Sequence, residues 1–179
     1  MILRISMYRA ALAGLFVLMS ASAVVAQVNA RGALTGHQVN VIGALAGHAI
    51  GTEQAGSLLA SGSGTGTASY IGPFRYLVQV TVNPAGSSGS RSEGVFLLVF
   101  SNGDVMYGSV VGEGPAPSPP TPEPVRITEQ LTITGGTGRF QDASGTITFN
   151  RLADLSTLPA YDSHAGTLTG TISTPRSSK

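Results

Sequence analysis

The chain has 179 residues, of which 24 are glycine, 10 are proline and none is cysteine. That length suits one ordinary domain, and charged residues make up only 11% of it, with a formal net charge of +1. A chain without basic or acidic runs is not typical of nucleic-acid-binding proteins or solvating tails. The lack of cysteine excludes disulfides, thiol catalysis, iron–sulfur clusters and cysteine zinc sites.

The first 26 residues have the organisation of a secretory signal peptide. Arg4 and Arg9 make the start positive, an apolar run covers residues 10–20, and small residues follow. The run is shorter than the roughly 20 residues that a membrane-spanning helix needs. We therefore predict cleavage after Ala26, with Ala23 as the alternative, and a secreted or periplasmic protein without a stable membrane anchor. Cleavage removes two of ten basic residues and no acid, which leaves eight against nine and a net charge of −1.

Residues 27–47 form an N-terminal segment of uncertain order, which contains a short repeat. The sequence GALTGH at residues 32–37 returns as GALAGH at residues 43–48. Two histidines are metal-ligand types, but a third and a fourth ligand are not evident. We expect no metal and no cofactor, and we interpret the repeat as a loosely ordered leader or a duplicated edge hairpin.

Residues 48–179 are predicted to form a single domain of short strands, because apolar and polar residues alternate with a period of two. The clearest alternation runs from Val125 to Thr134. The segment Val95 to Phe100 is apolar on both faces, as in a strand that is covered on both sides. The other predicted strands are His48–Leu59 (or a helical turn over Glu53–Ala60), Tyr76–Val82, Asp104–Val111, Gly145–Phe149 and Gly166–Ser173.

Turn residues separate these strands. Asn102-Gly103-Asp104 suits a tight hairpin, because asparagine and glycine tolerate positive φ. Three glycines within residues 134–138 give the backbone freedom for another sharp turn. About seven strands without a long helix predict an all-β sandwich or barrel. A closed barrel would remove the strand edges, which so few charges cannot protect from aggregation.

The strand pattern is interrupted at residues 114–124. Six of the ten prolines lie in this segment, and proline cannot donate a hydrogen bond to a strand ladder. We interpret the segment as an extended loop that joins two strands. The alternative is a proline-rich ligand for the aromatic groove of a partner.

Four segments carry a resemblance to known proteins. They are GTGTASYIGPF at 64–74, SNGD at 101–104, ITGGTGRFQDASG at 133–145 and GTLTGTIS at 166–173. In this order they resemble the allene oxide cyclase barrel-like group of secreted bacterial proteins, and the third is similar to the GGTGxF turn of plant dirigent proteins. The resemblance implies a small, closed, antiparallel barrel of about eight strands, calycin or allene oxide cyclase-like, with a central cavity. It implies no particular activity.

Two polar residues are weak candidates for chemistry inside such a barrel. Glu129 shares its face with four aliphatic residues, and a desolvated carboxylate is one source of general acids and bases. Tyr107 alternates with valines and is the second candidate for an inward polar group. The alternative for Glu129 is a place at a mouth or bulge, or a pair with an arginine such as Arg139 or Arg75.

Three functions agree with these observations. The first is a barrel that binds a small apolar or aromatic molecule, since eight strands enclose room for one small ligand or for side chains alone. The second is a cofactor-free enzyme of cyclase or dirigent type that steers a reactive intermediate. The third is a structural or interaction protein with a filled barrel, and a homo-oligomer is compatible with all three. We rank binding first, and the cavity volume and the exposure of Glu129 distinguish the three.

The signal peptide makes a direct prediction about the mature protein. Production from the full-length coding sequence in a bacterial host should yield an exported chain that begins at Gln27, or at Val24 for the alternative site. N-terminal sequencing of the exported protein checks this, and an exported chain that still begins at Met1 would contradict it.

Overall fold

The structure is a computed structural model that describes residues 37–85, 89–115, 124–154 and 160–174. The expected signal peptide and most of the proline-rich segment lie outside these residues. Within the described residues, eight strands and one short 3-10 turn follow in chain order. They are β1 (His37–Gln54), β2 (Ser57–Ala68), β3 (Gly72–Pro84), β4 (Ser90–Phe100), β5 (Val105–Gly114), β6 (Val125–Gly136), the turn Gly138–Phe140, β7 (Ser144–Asp154) and β8 (Ala160–Thr174).

The eight strands form a closed antiparallel barrel in chain order. Each strand pairs with the next, and β1 pairs with β8, so that Gly43 lies opposite Ala68 on one side and Leu168 on the other. The prediction of an all-β, closed barrel of about eight strands is confirmed. No helix in the described part of the chain is long and apolar enough to cross a membrane.

The first hairpin differs from the prediction of one strand over His48–Leu59. The chain reverses at Ala55 and Gly56, whose φ angles are 51° and 86°, as in the two-residue type I′ turn. Neither the single strand nor the helical turn over Glu53–Ala60 is correct, because an alanine at positive φ gives little sequence signal. The barrel also begins at His37, before the expected boundary at residue 48.

Inward side chains from all eight strands fill the barrel. Because neighbouring residues of a strand point to opposite faces, every second side chain enters the interior. The most deeply buried of these side chains are at most 5% exposed, and burying apolar surface stabilises the fold by about 25 cal/mol per Å². They include Val41, Leu45, Tyr76, Val80, Phe96, Leu98, Met106, Val110, Leu131, Ile133, Ile147, Phe149, Leu168 and Ile172.

One end of the barrel is closed by the turn that carries the GGTGRF sequence. The rings of Phe100 and Phe140 pack with centroids 4.4 Å apart. The Arg139 guanidinium lies over both rings, at 5.0 and 4.6 Å, and donates a hydrogen bond to the Ile71 carbonyl oxygen at 2.7 Å. Its Nε atom lies 3.6 Å from Asp104 Oδ2. The motif therefore has a structural role here, as a plug.

The glycines of this turn have different roles. Only Gly138 has a positive φ, at 54°, so the expectation that all three supply conformational freedom is wrong. A Cβ on Gly136 would overlap the Val105 carbonyl oxygen and lie 2.7 Å from Phe140 Cβ. Gly136 is therefore needed for the close approach of neighbouring backbone, which leaves no room for a side chain.

This crowding makes a stability prediction. Gly136→Ala should lower the free energy of unfolding by about 1–3 kcal/mol, the usual cost of overpacking, and urea unfolding measures it. Gly114→Ala is the control, because its nearest neighbour would be Ser90 Oγ at 3.2 Å, an atom at the end of a short side chain that can rotate. Equal stability of the Gly136→Ala variant and the wild type would show that the turn is not tightly packed.

Candidate functional site

The candidate site is an ion pair inside the barrel. The Arg151 Nη2 atom donates a hydrogen bond to Glu129 Oε1 at 2.7 Å. The side chains are 4% and 3% exposed, and they are the only charged side chains among the described residues that are buried in the core. The barrel therefore holds two opposite charges in contact, away from bulk water.

The strand register brings the two residues together. Glu129 on β6 lies opposite Phe149, and Arg151 on β7 lies opposite Ile127. Both residues occupy inward positions, and Arg151 is two residues beyond Phe149 along β7. Residues in this diagonal relation across two paired strands are close enough for long side chains to meet. The pair is thus a direct result of the pairing between β6 and β7.

Glycines on the flanking strands make room for the two long side chains. A Cβ on Gly112 of β5 would lie 3.0 Å from Glu129 Cγ, and a Cβ on Gly166 of β8 would lie 2.8 Å from Arg151 Cβ. Larger residues at these two positions would push against the stems of the pair. The site therefore depends on small residues of both neighbouring strands.

A small cavity of about 10 Å³ lies beside the pair. That volume is roughly what one water molecule needs. Tyr76, whose ring packs edge-on against Phe149 with centroids 6.3 Å apart, is the third polar side chain at the cavity. The remaining lining is apolar and comprises Leu45, Leu77, Val78, Phe96, Leu98, Leu131 and Phe149.

The inward position of Glu129, predicted from the alternation along β6, is confirmed by its burial. Its pairing with an arginine was the alternative interpretation, but the partner is Arg151. Arg139 belongs to the plug at the end of the barrel, and Arg75 is exposed on the outer surface. Glu129 is therefore buried, but it is held by a cation and is not an isolated acid.

The inward position expected for Tyr107 is wrong. Tyr107 is 44% exposed, whereas Met106 and Val110 are 0% and 1% exposed. The face that Tyr107 shares with Val105 and Val111 is the outer face, and the strand alternation alone does not say which face is inside. Tyr107 cannot take part in chemistry inside the barrel.

Sequence reasoning missed Arg151, because the predicted strand ended at Phe149. The signal was present, since Ile147, Phe149, Arg151 and Ala153 continue one alternating series and all four are buried. An arginine between two apolar inward positions, on the strand after Glu129, would have suggested a pair.

The arrangement favours a structural role over acid–base chemistry. Burying two charges costs several kcal/mol per ion, and the attraction between them offsets this cost only when the geometry is good. A buried pair therefore contributes little net stability, although removing one partner alone is strongly destabilising. Among the described side chains, no group of three histidine, aspartate or glutamate residues is placed to hold a metal ion.

The buried pair predicts a strong effect of a conservative change. Glu129→Gln keeps the shape but leaves the Arg151 cation buried without its carboxylate. The free energy of unfolding should fall by about 3–5 kcal/mol, as measured by urea unfolding. The double variant Glu129→Leu, Arg151→Met removes both charges and should recover most of this loss.

A surface pair provides the matched control. Arg91 and Glu113 lie 3.9 Å apart, and both side chains are 78% exposed. Glu113→Gln should leave stability nearly unchanged, because exposed pairs contribute little. If Glu129→Gln lowered the free energy of unfolding no more than Glu113→Gln does, the interior pair would not be important for the folded structure.

No family model, curated protein or solved structure matches the chain in comparisons with known proteins.

Proposed function

We propose that the chain is an exported structural or interaction protein, a barrel with a filled core that meets its partners through its outer surface. The observation that carries the proposal is the interior volume. The cavity beside the ion pair is about 10 Å³, whereas pockets for small ligands are typically about 300–1,000 Å³. Bulky side chains take the space that a carrier would keep for its ligand.

Both ends of the barrel support this proposal. Arg139, Phe100 and Phe140 pack together at one end. Towards the other end, Ala49 and Ala153 are at most 2% exposed and pack with Val125 and Ile127 in a second apolar cluster. The described residues thus fill the barrel along its length.

The ion pair fits a structural role in such a barrel. A shift of β7 by one residue against β6 would turn Arg151 outward and leave Glu129 inside without its partner. Because a lone buried charge is strongly unfavourable, the pair selects one register. On this account Glu129 and Arg151 specify the core and do not act on a substrate.

A cofactor-free enzyme is the second candidate, and one observation favours it. Glu129, Arg151 and Tyr76 are the polar side chains around the small cavity, which is the arrangement of a site that orients one reactive molecule. This function requires the interior cavity to expand well beyond about 10 Å³. The binding of a small apolar or aromatic molecule has the same requirement. The resemblance to cyclase and dirigent barrels supports the enzyme as a proposal of second rank.

Native mass spectrometry of the exported protein tests the proposal. Under gentle conditions the protein should have the mass of one or more bare polypeptides, equal to multiples of the mass measured after denaturation. A small molecule that is lost only on denaturation would overturn the filled-barrel proposal. If the double variant Glu129→Leu, Arg151→Met then abolished its retention while staying folded, and Glu113→Gln did not, the ligand would lie in the interior.

A further inference from the structure

The outer surface of the barrel is uneven in composition. Outward positions on β2, β6 and β8 carry mainly serine and threonine, which suit a surface in water. Outward positions in the second half of β4 are instead Val95, Leu97 and Val99. The polar outward residues of these three strands are Ser61, Ser63, Thr65, Thr67, Gln130, Thr132, Thr134, Thr167, Thr169 and Thr171.

The strand register extends the apolar stretch of β4 across three strands. Leu97 lies opposite Leu77 of β3 and Tyr107 of β5. Leu77 is 51% exposed, Val95 59% and Tyr107 44%. Val105 of β5 lies opposite Val99. We call this set the β3–β5 face, and its members are Leu77, Val95, Leu97, Val99, Val105 and Tyr107.

Closure of the barrel limits how a partner can bind this face. All eight strands are paired on both sides, so a partner cannot add a strand to an edge. It must lie flat on the side chains, as one sheet packs on another at a distance of about 10 Å. Contiguous exposed apolar residues rimmed by polar ones are typical of protein interfaces.

The charges around the face fit a second copy of the chain. Arg75 lies opposite Val99 at one end, and Glu93 lies one outward position beyond Val95 at the other. When two copies pack with their β4 strands antiparallel, Arg75 of one copy approaches Glu93 of the other, twice per dimer. The net charge is +1 for the whole chain and −1 after the predicted cleavage, so two copies repel each other little.

We propose that the β3–β5 face packs against the same face of a second copy, with the two β4 strands antiparallel. The inference rests on the proposed function, which places interactions on the outer surface. A standard interface buries about 800 Å² per partner, with an apolar centre and a polar rim. The six apolar residues supply that centre, and Gln79, Thr81 and Ser109, which neighbour them in the register, supply the rim.

Sedimentation velocity over a concentration series tests the dimer. The wild-type protein, produced from the full-length coding sequence, should sediment as a dimer at or below a concentration of about 100 µM. Leu77→Lys and Val95→Lys should each weaken the dimer by about tenfold or more, as expected for central interface residues. Ile50→Lys is the matched control, because Ile50 is 56% exposed on β1 and lies outside the face. It should leave the dimer intact.

Charge exchange tests the antiparallel arrangement. Arg75→Glu and Glu93→Arg should each weaken the dimer, because each places like charges together. The double variant Arg75→Glu, Glu93→Arg restores opposite charges and should restore the dimer. A double variant weaker than either single variant would overturn the antiparallel arrangement. Circular dichroism and melting temperature confirm that each variant is folded, since all these positions are outward.

Several outcomes would overturn the proposal. A wild-type protein that stays monomeric at a concentration of about 100 µM would overturn it, because a specific interface of standard size should hold a dimer together at that concentration. Dimers unaffected by Leu77→Lys and Val95→Lys would place the interface elsewhere. If the protein is monomeric and sediments with phospholipid vesicles, and if Val95→Lys abolishes this vesicle binding, then the β3–β5 face binds a membrane and not a second copy. None of these results changes the volume of the core, so failure of the dimer is distinct from failure of the filled-barrel proposal.

Discussion

Closure of the sheet through the pairing of β1 with β8 is the constraint on which the rest of the structure depends. Once eight strands close, the interior has a small volume, which side chains can fill or which can hold one small ligand. Inward positions must then balance large and small residues around the ring. Aromatic rings such as Phe96 and Phe149 fill the middle, while Ala49, Ala60 and Ala153 occupy narrower places. The filled core is a consequence of closure and of this choice of residues.

The interior ion pair shows how the same constraint acts on polar groups. In an open sheet, Glu129 and Arg151 could turn towards water at an edge, whereas a closed barrel holds both inside. Their contact at 2.7 Å and the glycines beside them, Gly112 and Gly166, are therefore parts of one arrangement. Because burying the pair is costly, we interpret it as a determinant of strand register and not as the main source of stability.

The fold was predictable from the sequence, because alternation and turn residues are local signals. The alternation along β6 located Glu129 correctly, but the same method put Tyr107 on the wrong face. A strand with apolar residues on both sides does not reveal which side enters the core, since that depends on the neighbouring strands. Arg151 was missed for a related reason, because an ion pair between strands depends on register. The turn at Ala55-Gly56 was missed because tertiary pairing, and not residue preference, fixes its positive φ.

The central claim is that the barrel has no interior space for a ligand, and diffraction from crystals pressurised with xenon tests it most directly. Xenon enters dry apolar cavities that are large enough to hold it. A Met106→Ala crystal is the positive control, because this change removes a side chain that is 0% exposed and packed in the apolar core, away from the polar cavity. The account predicts a xenon site inside the variant and none inside the wild-type barrel. A xenon atom beside Glu129 and Arg151 in the wild type would contradict it.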